Sequence, residues 1–128
     1  MTTFKKFLRR GVLYGTPSVR ITPKQLVFNT VSYARYLKDY EYVELFYSED
    51  EKAIGVHLET TATENSFAIK VYRGQKSPIV NVNCTEFLRY FKIFESMGKA
   101  QSFPVEQDEK TGMLVIYLKE KHNDYKNE

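Results

Sequence analysis

The side chains that most often perform catalysis or bind transition metals are scarce in this chain of 128 residues, which has two histidines and one cysteine. His57 and His122 lie far apart, and neither has a second histidine or a cysteine at a spacing typical of a zinc site. Cys84 has no obvious histidine partner that would activate it as a nucleophile. The sequence also has no glycine-rich phosphate loop and no nucleophile elbow. We therefore expect no enzymatic activity, no cofactor and no metal site.

Basic residues, in contrast, cluster where a phosphate backbone could bind. They flank the first predicted hairpin turn in each half of the chain, and they recur in an N-terminal arm. On one side of the protein they would form a cationic strip suited to duplex DNA. The alternative is that they are ordinary solvated side chains on edge strands, where charge prevents aggregation. The residues are Arg20 and Lys24 in the first half, Lys70, Arg73 and Lys76 in the second half, and Lys5, Lys6, Arg9 and Arg10 in the arm.

Two Arg-Tyr pairs are a further candidate for binding. Arg35-Tyr36 and Arg89-Tyr90 fall in the two predicted helices. On an outer helix face such a pair forms an interface anchor or stacks on bases. The same residues could instead pack over the edge of the sheet, so their role stays open at this point.

The two pairs belong to an internal repeat. Residues 33–41 align with residues 87–95, and the same offset aligns Asn29 with Asn83. A short chain with two related halves is typical of a fused pseudo-dimer. The identical positions within the aligned segments are Arg35 and Arg89, Tyr36 and Tyr90, Lys38 and Lys92, and Glu41 and Glu95.

Alternating apolar residues and turn signals predict the same element order in each half: strand, strand, helix, strand, strand. One such unit would expose too much apolar surface alone, so we expect both halves to share one core. The prediction is a single β-rich α+β domain over residues 1–128. Its parts are an arm (1–16), a first repeat (17–59), a polar connector (60–65), a second repeat (66–119) and a polar tail (120–128).

The helices are predicted over residues 31–38 and 84–94. Asn29 or Thr30 can cap the first helix, and Asn83 with Glu86 forms a capping-box pattern before the second. Val31, Ala34 and Leu37 share one face of the first helix, which is expected to face the core.

Composition excludes several classes of protein. The hydrophobic fraction of 42% supports a real core, and no apolar run is long enough to span a membrane. The N-terminus lacks the apolar segment of a secretory signal. A single cysteine points to a reducing compartment, so we expect a cytoplasmic protein. The net charge of +3 permits nucleic acid as a partner without demanding it.

The pattern from Val19 to Leu58 resembles the AbrB/SpoVT swapped-hairpin unit. Residues 29–37 look like the family's helix, and residues 42–56 look like its acidic-tipped terminal hairpin. The resemblance implies a barrel of interleaved hairpins in which residues 66–118 supply the second copy. It also implies DNA contacts from the basic residues of the first hairpins. Two departures are the very short first turn of half one and the extra residues 96–102 in half two.

These observations favour a small double-stranded DNA-binding regulator of transcription. An alternative is a protein-interaction or assembly module, since the chain also looks like small uncharacterised phage and mobile-element proteins. A further alternative is single-stranded nucleic-acid binding, with Tyr42, Phe46 and Tyr72 as stacking platforms. A homo-oligomer is compatible with each hypothesis.

Overall fold

A computed structural model describes residues 15–73 and 77–118 of the chain. The fold is β-rich, as predicted, with few and short helices. The helical segments are α1 (Thr30–Ser32), which continues as a π-helical segment (Tyr33–Leu37), α2 (Thr85–Tyr90) and α3 (Ile93–Met97). The strands are β1 (Ser18–Ile21), β2 (Gln25–Phe28), β3 (Tyr42–Ser48), β4 (Ala53–Glu59), β5 (Phe67–Tyr72), β6 (Ile79–Asn83), β7 (Gln101–Pro104), β8 (Glu106–Gln107) and β9 (Leu114–Tyr117).

The strands form one antiparallel sheet in the order β7-β1-β2-β6-β5-β3-β4-β9-β8. β7 and β8 stand at opposite ends of this order, although only Val105 separates them in the chain. The sequence pattern predicts one continuous strand over residues 102–107, but the first part of the segment pairs with β1 and the last part with β9. The sheet therefore curls into a nearly closed barrel, which leaves few free edges.

Alternation along the strands places one side of the sheet in the core. Val19 and Ile21 on β1 are fully buried, whereas Arg20 between them is exposed. Such period-two burial follows from the pleat, which sends successive side chains to opposite faces. Burial of each large aliphatic side chain contributes roughly 1.5–3 kcal/mol. The other fully buried strand residues are Leu26, Phe28, Val43, Ile54, Val56, Val80, Val82, Leu114 and Ile116.

Asn29, one of the two predicted candidates, caps the first helix. Its Oδ1 accepts hydrogen bonds from the backbone amides of Ser32, at 2.9 Å, and of Ser18, at 3.1 Å. Its amide nitrogen donates to the carbonyl of Thr16 at 3.0 Å. One side chain therefore satisfies the helix start and fixes the chain that enters β1.

The first predicted helix lies where expected, but most of it is not α-helical. The Lys38 amide donates to the carbonyl of Tyr33 at 3.0 Å, the i to i−5 pattern of a π-helix. Leu37 lies fully buried in the core, while Arg35 and Lys38 remain exposed. Of the predicted apolar face, Val31 and Leu37 are buried and Ala34 is partly buried.

The second predicted helix requires two corrections. It breaks after Tyr90, and Lys92 adopts the left-handed conformation with φ of 55°, so α3 starts as a separate helix. The capping box is also wrong. Cys84 is the N-cap of α2 with no side-chain cap, and Asn83 Oδ1 instead accepts from Gln25 Nε2 at 2.8 Å. Within residues 15–73 and 77–118, none of the helices has the length and apolarity that crossing a membrane requires.

Candidate nucleic-acid interface

The outer surface of β7, β1, β2, β6 and β5, here called the five-strand face, brings two of the predicted binding residues into one row. Arg20 is paired with Val27, Val27 with Asn81, and Asn81 with Lys70. Residues in register across neighbouring strands point to the same face. Arg20 and Lys70 are both exposed. Three strand spacings separate their backbones, which corresponds to about 14 Å.

No acidic residue interrupts this surface. The five strands, all within the described part of the chain, contain no Asp and no Glu. The other four strands contain Glu44, Glu59 and Glu106, and their hairpin turns add further acidic residues. An anion that approaches the five-strand face therefore meets cations and no carboxylate on the strands themselves. The acidic residues of those turns are Glu49, Asp50 and Glu51 after β3, and Asp108 and Glu109 after β8.

Two more predicted residues lie at the turns of this surface. Lys24 is exposed in the turn between β1 and β2. Arg73 follows β5 directly and is also exposed. Its guanidinium donates a hydrogen bond to the Tyr33 hydroxyl at 3.1 Å and lies 5.8 Å from the centre of the Tyr33 ring. Tyr33 thus orients Arg73 while leaving it accessible to solvent.

An apolar pair lies beside the cations. Tyr72 and Ile79 face each other across β5 and β6, and their exposures are 53% and 45%. Tyr72 follows Lys70 by two residues on the same face of β5. An open groove of about 250 Å³ is lined in part by Arg20, Val27 and Ile79. The five-strand face therefore combines positive charge with an aromatic side chain.

The repeated Arg-Tyr pairs have different environments. Tyr36 is half-buried and packs against the core, which agrees with the packing role. Tyr90 is 79% exposed and meets Phe91 edge-on, with ring centres 4.8 Å apart. Arg35 and Arg89 are both exposed. The structure thus brings neither pair into the row that contains Arg20 and Lys70.

The basic residues of the arm, and one basic residue of the turn after β5, lie outside residues 15–73 and 77–118. They are Lys5, Lys6, Arg9, Arg10 and Lys76.

The side chains considered for catalysis occupy other environments. Cys84 is buried at the start of α2, and this burial raises the pKa of its thiol to about 12. The thiol therefore stays protonated near neutral pH. His57 is exposed on β4, where its Nδ1 lies 2.6 Å from a carboxylate oxygen of Glu59.

Glu44 completes a cluster that the sequence analysis missed. It lies opposite His57 across β3 and β4, and donor atoms of Glu44, His57 and Glu59 lie within 4.8 Å of one another. The sequence analysis considered only histidine and cysteine as further ligands beside His57. Glu59, two residues along the same strand, could have been recognised as a ligand from the sequence. Glu44 could not, because its position beside His57 depends on strand register.

Comparison with protein-family models, with curated proteins and with solved structures finds no match to this chain. Its function must therefore be inferred from its own residues.

Proposed function

We propose that the two halves are copies of one swapped-hairpin unit, related by an approximate twofold axis. The support is the pairing pattern. Every strand partnership stays the same when the strands of one half are exchanged for those of the other. The exchanges are β1 with β5, β2 with β6, β3 with the β7–β8 segment, and β4 with β9. The axis would pass between Val27 and Asn81, which are register partners and are also equivalent positions of the sequence repeat.

A reciprocal contact gives independent support to interleaved halves. The Cys84 amide donates to the carbonyl of Lys24 at 2.9 Å, so the first hairpin turn of half one meets the helix start of half two. The Thr30 hydroxyl donates to the carbonyl of Pro78 at 2.7 Å, which is the corresponding contact in the other direction. The repeat places Lys24 opposite Pro78 and Thr30 opposite Cys84 when the two halves are aligned.

We further propose that the chain binds double-stranded DNA through the five-strand face, as a small regulator. The single observation that carries this proposal is the row from Arg20 to Lys70, with one cation on either side of Val27 and Asn81. Duplex DNA has local twofold symmetry, so a protein with paired cations about its own axis can contact both strands equivalently.

The dimensions and charge of the five-strand face fit this partner. A backbone separation of about 14 Å, extended by two long side chains, is comparable to the major groove width of about 12 Å. Lys24 and Arg73 provide further positive charge at the turns. Contacts of this type go to phosphates, so they would supply affinity and orientation more than sequence selectivity.

The test is a salt titration of duplex binding, measured by fluorescence anisotropy with a labelled DNA of mixed sequence. Exchange of Arg20 and Lys70 together for Ala should weaken binding and flatten the log–log salt dependence by about two units, since about 0.9 is lost per phosphate contact. The matched control exchanges Lys52 and Lys110 for Ala, which removes the same charge from the acidic hairpin turns.

Two results would contradict duplex binding through this face. One is the absence of binding at low salt, where electrostatic association is strongest. The other is an equal effect of the two double variants, which would show dependence on net charge alone. In the first case an interaction module would become the leading hypothesis, with Tyr90 as the exposed anchor.

Single-stranded nucleic acid is a second candidate, favoured by the position of Tyr72 beside Lys70. A base stacked on an aromatic side chain contributes about 1–3 kcal/mol. Tyr72→Ala should therefore weaken single-strand binding by about tenfold or more and leave duplex binding nearly unchanged. The same anisotropy assay with a labelled single strand separates the two candidates through the effect of Tyr72→Ala. Arg20 and Lys70 do not distinguish them, because both cations would contribute to binding of either nucleic acid.

A further inference from the structure

The barrel has a second polar cluster, on the outer surface of β3 and β4. Glu44 and His57 are register partners on the two strands, and Glu59 follows His57 by two residues on the same face of β4. Opposite residues in an antiparallel pair have Cβ atoms about 4.5–5.5 Å apart. The donor atoms of all three side chains lie within 4.8 Å of one another.

The cluster has an excess of negative charge. Among residues 15–73 and 77–118, the only ion pair is the one between His57 and Glu59, and His57 is charged only when protonated. Neither Glu44 nor Glu59 meets a lysine or arginine in that part of the chain. Two carboxylates that face one imidazole without a cationic partner favour a cation between them.

A fourth residue holds one of the carboxylates in place. The Thr63 hydroxyl donates a hydrogen bond to Glu44 at 2.5 Å. Thr63 belongs to the connector between the halves, so this contact joins the connector to β3. Hydrogen bonds of this kind orient metal ligands and raise metal affinity.

We propose that Glu44, His57 and Glu59 form a binding site for a first-row divalent metal ion of the zinc class. An imidazole nitrogen favours such ions over magnesium and calcium, and two carboxylates would balance the charge of the ion. In a tetrahedral site with bonds of about 2.0–2.2 Å, two ligand atoms lie about 3.4 Å apart. The three side chains are partly exposed, so rotation about their side-chain bonds can close the remaining distance.

Three protein ligands leave a coordination position for water or for another ligand. The ion would cross-link β3 and β4 near the connector. The metal site lies on strands other than those of the five-strand face, so the two proposals are independent.

Isothermal titration of the full chain with zinc chloride in a weakly coordinating buffer tests the site. We expect one zinc ion per chain and no comparable binding of magnesium or calcium. His57→Ala should abolish this binding. Thr63→Val should weaken it by about tenfold, since loss of an outer partner typically costs about 10–100-fold in metal affinity.

His122→Ala is the matched control, because it removes the only other histidine. It should bind zinc as the wild type does, and so should the Arg20→Ala variant that weakens DNA binding. Thermal unfolding without metal should be nearly the same for all variants, because the exchanged side chains are not in the core. The site is excluded if the wild type takes up no zinc, if His57→Ala keeps full affinity, or if His122→Ala loses it.

Discussion

Val27 and Asn81 are partners across the β2–β6 ladder, and the interval between them along the chain equals the offset of the sequence repeat. The same offset relates Arg35-Tyr36 to Arg89-Tyr90. A residue pair at a twofold axis must consist of equivalent residues from the two halves. The coincidence of register and repeat offset is what the proposed fused pseudo-dimer requires, and it leads to the first prediction.

A fragment of residues 1–62 should fail to fold as a monomer. In the full chain β1 pairs with β7, β2 with β6, β3 with β5 and β4 with β9, so every strand of this fragment lacks a partner and half of the core is missing. We expect an unfolded chain or a dimer in which a second copy replaces the missing half. Size-exclusion chromatography with light scattering and circular dichroism distinguish these states. A monomeric fragment that unfolds cooperatively would contradict the shared core.

Leu37→Ala should destabilise the protein by roughly 2–5 kcal/mol, because it leaves a cavity at a fully buried position. Phe91→Ala should cost less, since Phe91 is half-buried against Tyr47 and Phe87. Glu51→Ala, in an exposed turn, should stay within about 0.5 kcal/mol of the wild type. Chemical denaturation gives the three values, and a larger effect for Glu51 than for Leu37 would refute this burial assignment.

Asn29→Ala should destabilise by about 1–2 kcal/mol, because the helix cap and the bonds to Ser18 and Thr16 are lost together. Asn83→Ala is the matched control at the equivalent position of the repeat. It loses only the exposed hydrogen bond from Gln25 and should have a smaller effect. Urea denaturation measures the free energy of unfolding of both variants. Similar decreases for the two would mean that both asparagines act as caps.

Cys84 should make stability depend on pH in the alkaline range. Burial raises the pKa of its thiol from 9.0 to about 12, so between these values the folded state keeps a proton that the unfolded state releases. Since stability falls with pH when the folded state binds more protons, this contribution is lost as pH rises from about 9 to 12.

Urea denaturation at several pH values measures this effect, and Cys84→Ala should show a smaller decline over that range. The same burial should protect the native thiol from alkylation at pH 8 until denaturant is added. Rapid labelling of the native protein would show that the thiol is more accessible than its position at the start of α2 indicates.

Local patterns in the sequence determined the positions of most secondary-structure elements. Gln25–Phe28 is a strand between a turn and a capping residue, as the predicted element order of the first half requires. Asn29 or Thr30 was predicted to cap the first helix, and Asn29 does so through the Ser32 amide three residues along the chain. The apolar spacing of Val31 and Leu37 predicted the buried helix face. These features depend on neighbouring residues, whose chemistry the sequence contains directly.

Tertiary structure alone decided the features that depend on distant contacts. Asn83 matches Asn29 in the repeat, yet its side chain bonds to Gln25 on β2 and not to the helix. The strand break at Val105 arises because its two sides pair with different strands, β1 and β9. The row that joins Arg20 to Lys70 and the cluster that joins Glu44 to His57 both depend on strand register. Register is set by packing of the whole core, because a shift of one residue would send every side chain to the opposite face.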